Sequence, residues 1–230
     1  MKKKILAIVF AATLAATPAL AFFLNTAGPN FPTAATGTTN TIGGGTASWL
    51  NPTNIEANDG ANANSNLTGT TADLIGTGFA FAVNSTDTVN GILLEIRYSQ
   101  QAAAGATESH VNLLKAGAVA GANKSTAAAL PTTPTTVSYG GSTDLWLTTW
   151  TPSDINNPNF GAVFVAARTG SGTIFVDFFR ITITSTSAPP PGSQFLQMFG
   201  IKLDPPKPHS QTRFIAASVS GPNTRRETQP

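Results

Sequence analysis

Residues 89–98 read VNGILLEIRY, and their alternation constrains the fold more than any other feature of the chain. Ile92, Leu94, Ile96 and Tyr98 fall on one side of an extended segment, and Leu93, Glu95 and Arg97 on the other. A period of two is the pattern of a half-buried strand. Gly161–Arg168 (GAVFVAAR) is a second strand, with Val163, Val165 and Ala167 on one side. Thr173–Thr184 (TIFVDFFRITIT) is a third, but its frame changes. Ile174 and Val176 keep one frame, and Phe179, Ile181 and Ile183 the other. A frame change inside one strand predicts a β-bulge near Asp177-Phe178. Shorter candidates are 74–75, 78–83, 110–115, 119–123 and 135–139. Turn signals separate them, at Asn58-Asp59-Gly60, Gly140-Gly141-Ser142, Asn156-Asn157-Pro158 and Gly170-Ser171-Gly172. No segment after residue 21 shows helical periodicity over three turns, and 102–106 is broken by Gly105 and reads as a loop. Many short strands at this spacing predict an all-β chain, folded as an antiparallel two-sheet sandwich.

The ends of the chain have a different texture. Lys2, Lys3 and Lys4 precede an apolar stretch from Ile5 to Leu20 that closes on Ala19-Leu20-Ala21. This reads as a bacterial signal peptide over residues 1–21. Pro18 beside the cleavage signature argues against the alternative, an anchor spanning the membrane. The expected location is therefore secreted or on the cell surface of a bacterium, with no membrane span after cleavage. Residues 22–37 carry Pro, Gly and Thr without charge and read as an extended leader. The sandwich is expected over 38–186. Pro189-Pro190-Pro191-Gly192 stops sheet and helix alike, so 187–230 reads as a Pro-rich, mostly disordered tail.

Composition removes whole classes of chemistry. Cysteine is absent, which excludes disulfides, thiolate metal sites and cysteine nucleophiles. Only His110 and His209 are available for imidazole chemistry. Charged residues make up 10% of the chain, against about 25% in an average domain. The net charge of +2 is also uneven. The first 21 residues contribute +3, residues 22–185 hold five basic and nine acidic groups, and 186–230 hold five basic and two acidic. The basicity belongs to the leader and tail, so no basic stripe points to nucleic acid.

Several patches in order resemble a jelly-roll domain that recurs in bacteriophage tail-associated and bacterial surface proteins. They are Trp49-Leu50-Asn51-Pro52, Gly78-Phe79-Ala80-Phe81, Val89-Asn90-Gly91-Ile92, Tyr139-Gly140-Gly141 with Asp144-Leu145-Trp146, Asn159-Phe160-Gly161, and Val176-Asp177 with Arg180-Ile181-Thr182-Ile183. The resemblance spans residues 45–185 and implies a jelly-roll module used for structure or attachment, with no catalytic residues. Leu147 departs from the pattern, which tends to have glycine after the tryptophan.

Three functional readings stand side by side. The leading one is a non-enzymatic structural or adhesive surface module that assembles with copies of itself or with other surface proteins. Phe22 and Phe23, freed by cleavage, would then begin a donor strand for a neighbour's sheet edge. The second is a carbohydrate-binding module in which Trp146 and Trp150, with Tyr139 upstream, stack on sugar rings; core packing is the alternative for each. Trp49 reads as core. The third is a glycoside hydrolase or lyase, which needs two facing carboxylates. Asp177 lies among apolar neighbours, either as an acid catalyst or as a structural carboxylate pinning the bulge, with Arg180 its nearest cation along the chain. No cofactor is expected beyond a structural calcium, for which Glu56, Asn58 and Asp59 are clustered; turn formation explains the same residues.

Overall fold

The alternating residues 89–98 lie inside a 13-residue strand, at the middle of one sheet. The computed structural model describes residues 22–188. The expected signal peptide, and the tail beyond residue 188, lie outside the described residues. In chain order the strands are β1 (Phe23–Asn30), β2 (Ala34–Thr39), β3 (Ala63–Ser65), β4 (Gly69–Thr70), β5 (Asp73–Thr77) and β6 (Thr88–Gln100). They continue as β7 (Ala106–Lys115), β8 (Ala118–Ala120), β9 (Thr135–Gly140), β10 (Gly161–Arg168) and β11 (Ile174–Ser187). One helical turn, α1, covers Pro152–Ile155, and Thr151 and Asp154 close a capping box at its start.

The first sheet has the order β1-β11-β6-β9, with β3 also on β11. The second runs β2-β5-β10-β7-β8, with β4 on β10. All these strand pairs are antiparallel. The chain crosses between sheets at most connections, so the protein is an antiparallel two-sheet β-sandwich of jelly-roll type.

The inner faces supply the core. Ile92, Leu94, Ile96 and Tyr98 of β6 and Phe179, Ile181 and Ile183 of β11 are buried against Ala162, Phe164 and Ala166 of β10. Tyr98 stacks on Phe164 at 5.4 Å between ring centroids. Each large side chain buried this way contributes about 1.5–3 kcal/mol. Trp49 is also in this cluster, and its indole N–H donates to the Ala72 carbonyl at 2.8 Å.

The continuous apolar run in β10 has a second cause. Val163 and Val165 point away from the core, yet both are buried, with Leu114, Ile42 and Ile75 packed around them. The segment around Ile42–Gly44 is strapped onto this outer face. Asp73, itself buried, accepts from the Ile42 N–H at 2.9 Å and the Gly44 N–H at 2.7 Å. A strand covered on both faces reads as an unbroken apolar run.

The bulge falls where the frame change puts it. The β11–β6 register shifts between Val176 and Phe178, leaving Asp177 as the extra residue. Asp177 is buried, accepts from the Gly60 N–H at 3.1 Å and pairs with Arg97 at 3.4 Å. Arg180 is not its partner. It stays opposite Glu95 in the ladder and forks onto that carboxylate at 2.8 and 2.9 Å, because the bulge turns Asp177 toward the 58–60 turn.

Residues 22–37 are not a leader. Phe23–Asn30 pairs with β11 and Ala34–Thr39 with β5, so the sandwich begins at the first described residues. These segments lack an apolar alternation because backbone hydrogen bonds, not a buried face, hold them. Pro29 sits where the β1 register shifts, a position that tolerates a missing N–H. At the other end β11 runs on to Ser187, into the segment expected to be tail.

Candidate functional site

The aromatic residues expected to meet sugars are inside the protein. Trp146 is 0% exposed and its indole donates to the Ile92 carbonyl at 3.0 Å. Trp150 is 6% exposed, packs edge-on against Phe160 and donates to Leu145. Each indole also carries a lysine over its ring, Lys124 on Trp146 and Lys115 on Trp150. Those lysines pair in turn with Asp144 at 2.7 Å and Asp154 at 3.0 Å. No stacking platform is left at these rings, since core, carbonyl and lysine occupy them.

Tyr139 belongs to a buried polar cluster. Its hydroxyl donates to Glu108 at 2.6 Å, and the Tyr98 hydroxyl donates to the same oxygen. The other Glu108 oxygen accepts from the N–H and hydroxyl of Thr126, at 2.8 and 3.1 Å. Burial, reinforced by the Glu108 carboxylate, pushes both phenols well above their ordinary range. The cluster ties the segment around Thr126 to the core.

The calcium trio is engaged with protein atoms. Asn58 accepts from the Arg97 guanidinium and Asp59 caps the Ala61 N–H, while Glu56 bridges to Phe178 through its backbone. Among the described residues no group of three His, Cys, Asp or Glu side chains could hold a metal ion. The carboxylates of Asp59, Asp73, Asp87, Glu95, Glu108, Asp144, Asp154 and Asp177 each hold a structural partner. Neither of the two grooves among the described residues is lined by an Asp or Glu.

The first groove lies on the outer face of the second sheet and encloses about 620 Å³. The strapped segment forms one wall, with Thr41 and Ile42. β8 and the segment after it form the other, with Val119, Gly121 and Asn123. His110 and Asn112 of β7 form the floor. Gly43 lets the strap cross the imidazole, since a Cβ there would lie 2.5 Å from His110 Nε2. Gly121, at φ +80°, lets the opposite wall touch the Trp146 backbone.

The polar groups here are unequal in freedom. Asn123 is fully used: it accepts from the Val111 and Ser125 N–H groups at 2.9 Å and donates to the Ser109 carbonyl at 3.0 Å. It is a brace that lies 3.5 Å from His110 Nδ1. Asn112 is only 3% exposed, yet among the described residues no hydrogen bond reaches its side-chain amide. Its amide belongs to the groove lining, where a ligand can reach it. No Asp, Glu, Lys or Arg lines the groove.

A second groove, of about 480 Å³, lies at one end of the first sheet. Leu24, Val89 and Leu145 supply its apolar surface, with hydroxyls from Thr88, Thr143 and Thr184. It too is lined by no charged residue.

Sequence reasoning missed the first groove. His110 reads as an ordinary strand residue, and nothing local marks Asn112 or links either of them to Thr41.

No protein-family model matches the chain, and no curated protein does. Among solved structures, one described as "CBM4 structure and function" shares 14% identity, covering 54% of this chain and 85% of the other, at a TM-score of 0.34. The second N-terminal cellulose-binding domain of Cellulomonas fimi β-1,4-glucanase C shares 16% identity, covering 72% and 100%, at a TM-score of 0.33.

Proposed function

We propose that this β-sandwich is a non-catalytic, exported module that binds a neutral glycan in the groove on the outer face of its second sheet. The observation that carries the reading is Asn112. Its amide offers two donors and an acceptor, is nearly buried and lacks a partner among the described residues. His110 and Thr41 add further donors and acceptors, while Ile42 and Val119 offer apolar surface for C–H faces. An uncharged lining with planar polar groups suits a polyhydroxylated neutral ligand better than a phosphate, a carboxylate or a peptide. Export is supported by the n-region, apolar stretch and cleavage signature of residues 1–21. The resemblance to jelly-roll surface and phage-tail modules fits the same setting.

Asn112→Leu is the decisive variant. It keeps the volume and removes the hydrogen-bonding groups. Binding on an array of bacterial, plant and animal glycans, followed by calorimetry on the strongest ligand, should weaken about tenfold, the worth of one hydrogen bond. The melting temperature should stay level, because the substitution keeps the side-chain volume and breaks no hydrogen bond found among the described residues. Failure of the native protein to bind any glycan, or full binding by the variant, refutes the reading.

A further inference from the structure

The chain has one run of three glycines, Gly43-Gly44-Gly45, and it lies in the strap. Each of the three is fitted to a different strand. A Cβ on Gly43 would lie 2.5 Å from His110 Nε2, on β7. A Cβ on Gly44 would lie 2.5 Å from the Asp73 backbone nitrogen and from its Oδ1, on β5. A Cβ on Gly45 would strike the Thr70 carbonyl, on β4. The strap backbone therefore lies directly on these strands, a close approach that only glycine permits.

Its fastening changes along its length. Gly45 and Ala47 are held by backbone bonds, donating to the Thr71 and Thr70 carbonyls at 2.7 and 3.3 Å. Between Thr41 and Gly44 the hydrogen bonds found among the described residues all go to Asp73. Its Oδ2 accepts from the Ile42 N–H and its Oδ1 from the Gly44 N–H. Asp73 is 0% exposed and pairs with no cation among the described residues. Thr41 and Ile42, the strap residues in the groove wall, are thus held in place by one buried carboxylate.

We propose that Asp73 is a positioning residue for this groove: it touches no ligand, and it sets the separation of the two walls through the amides of the strap. The proposal rests on the glycan reading above. Two contacts fix that separation. Asp73 ties the strap to β5, and His110 keeps the strap apart from the opposite wall. Gly43 rests at the Nε2 edge of the imidazole, and Asn123 of the opposite wall lies 3.5 Å from Nδ1, so the ring spans from one wall to the other. The first contact requires a carboxylate. It presents acceptors to both N–H groups and no donor, whereas the amide of an asparagine would turn its NH2 against one of them. Half of the fastening would be lost, and Thr41 and Ile42 would draw away from a ligand still seated on Asn112.

Asp73→Asn in the full chain tests this, read by calorimetry on the strongest glycan ligand and by amide hydrogen exchange in NMR spectra. Exchange at Ile42 and Gly44 should speed up about tenfold, the worth of one hydrogen bond. The amides of β6 and β10 should keep their native rates. Glycan affinity should fall about tenfold, as one ligand contact is lost. Saturating glycan should slow exchange at Ile42 and Gly44 again, which a carboxylate needed for the fold alone would not produce. Gly44→Ala, whose Cβ lifts the strap off an intact Asp73, should weaken binding to a similar degree, and it carries the test if Asp73→Asn does not fold. Asp59→Asn, which alters a carboxylate that caps Ala61 and not the strap, should bind as the native protein does. A native protein that binds no glycan removes the reading on which the proposal rests, and the proposal with it. A native protein that binds, with Asp73→Asn or Gly44→Ala binding equally well, overturns the role of Asp73 and leaves the groove standing. So does an Asp59→Asn protein weakened as much as Asp73→Asn.

Discussion

Leu147 is 91% exposed and sits in the left-handed region, with φ 56°. Trp146 before it has φ 59°, and the Thr148 N–H donates to the Leu145 carbonyl at 3.2 Å across the pair. Two consecutive positive φ angles are those of a type I′ turn, which favours Asn and Gly. An L-residue in this region costs about 1–2 kcal/mol. Glycine removes that cost but gives up about 0.5–1 kcal/mol of chain entropy in the unfolded state. The leucine side chain is in solvent and has almost no burial to lose. Leu147→Gly should therefore stabilise the fold by about 0.5–1 kcal/mol, which raises the melting temperature by about 1–4 °C in a domain of this size. Leu147→Asn should fall between, and the β-branched Leu147→Ile should lie below the native protein. Urea titration is the assay, and the midpoint should move without a change in slope. A Leu147→Gly protein no more stable than the native one, with unchanged slope, would refute the argument that the turn is strained.

Two further outcomes follow from charged groups fixed by the fold. Arg168 is 3% exposed, and its Nε and Nη2 have no hydrogen-bond partner, so burial lowers its pKa. Arg168→Met should raise stability by about 1 kcal/mol, the relief of two unpaired donors less the bond that Nη1 donates to the Gly172 carbonyl, and a lower urea midpoint would refute this. Asp144 is held below the ordinary carboxylate range by its hydrogen bond to Lys124 and then by the Trp146 N–H. A lowered folded pKa gives stability that is complete above the unfolded value, about pH 4, and is lost as pH falls through the folded one. Melting temperature should thus drop below about pH 4, and less steeply in Asp144→Asn; parallel profiles would refute the assignment.

The legible parts of the chain are those where burial leaves a local signature. β6 alternates because one face meets the core, and β10 is apolar throughout because the strap covers its outer face. The bulge at Asp177 shows as a frame change, since one extra residue moves every later side chain to the other face. Residues 78–83 alternate equally well, and Phe79, Phe81 and Val83 are buried, yet the segment joins no ladder. There Asn156 takes the place of a strand partner, meeting the Val83 N–H and carbonyl at 2.8 Å each. Alternation reports an extended chain with one buried face, not what pairs with its backbone. β1 and β2 fail the other way, being paired through the backbone with little apolar face to show. Of the two readings of Trp146 and Trp150, core packing is the one the fold takes: their turn-rich flanks suggest exposure, but the turn folds both rings inward and leaves Leu147 outside.

The scarcity of charge acquires a meaning from where the charges are spent. The described chain has five Lys and Arg residues. Arg97, Lys115, Lys124 and Arg180 are each paired with a carboxylate, and Arg168 is buried. None lines either groove or lies on β1. Among the described residues, basic charge pins a bulge, covers two indoles and holds a ladder together, so no unpaired exposed cation is left there to draw in an anionic partner. Contacts at the grooves then depend on shape, amides, hydroxyls and apolar surface. Screening weakens interactions between charges and leaves these nearly untouched. Glycan binding should accordingly persist between low and high salt, whereas a phosphate-binding surface would lose affinity steeply over the same range.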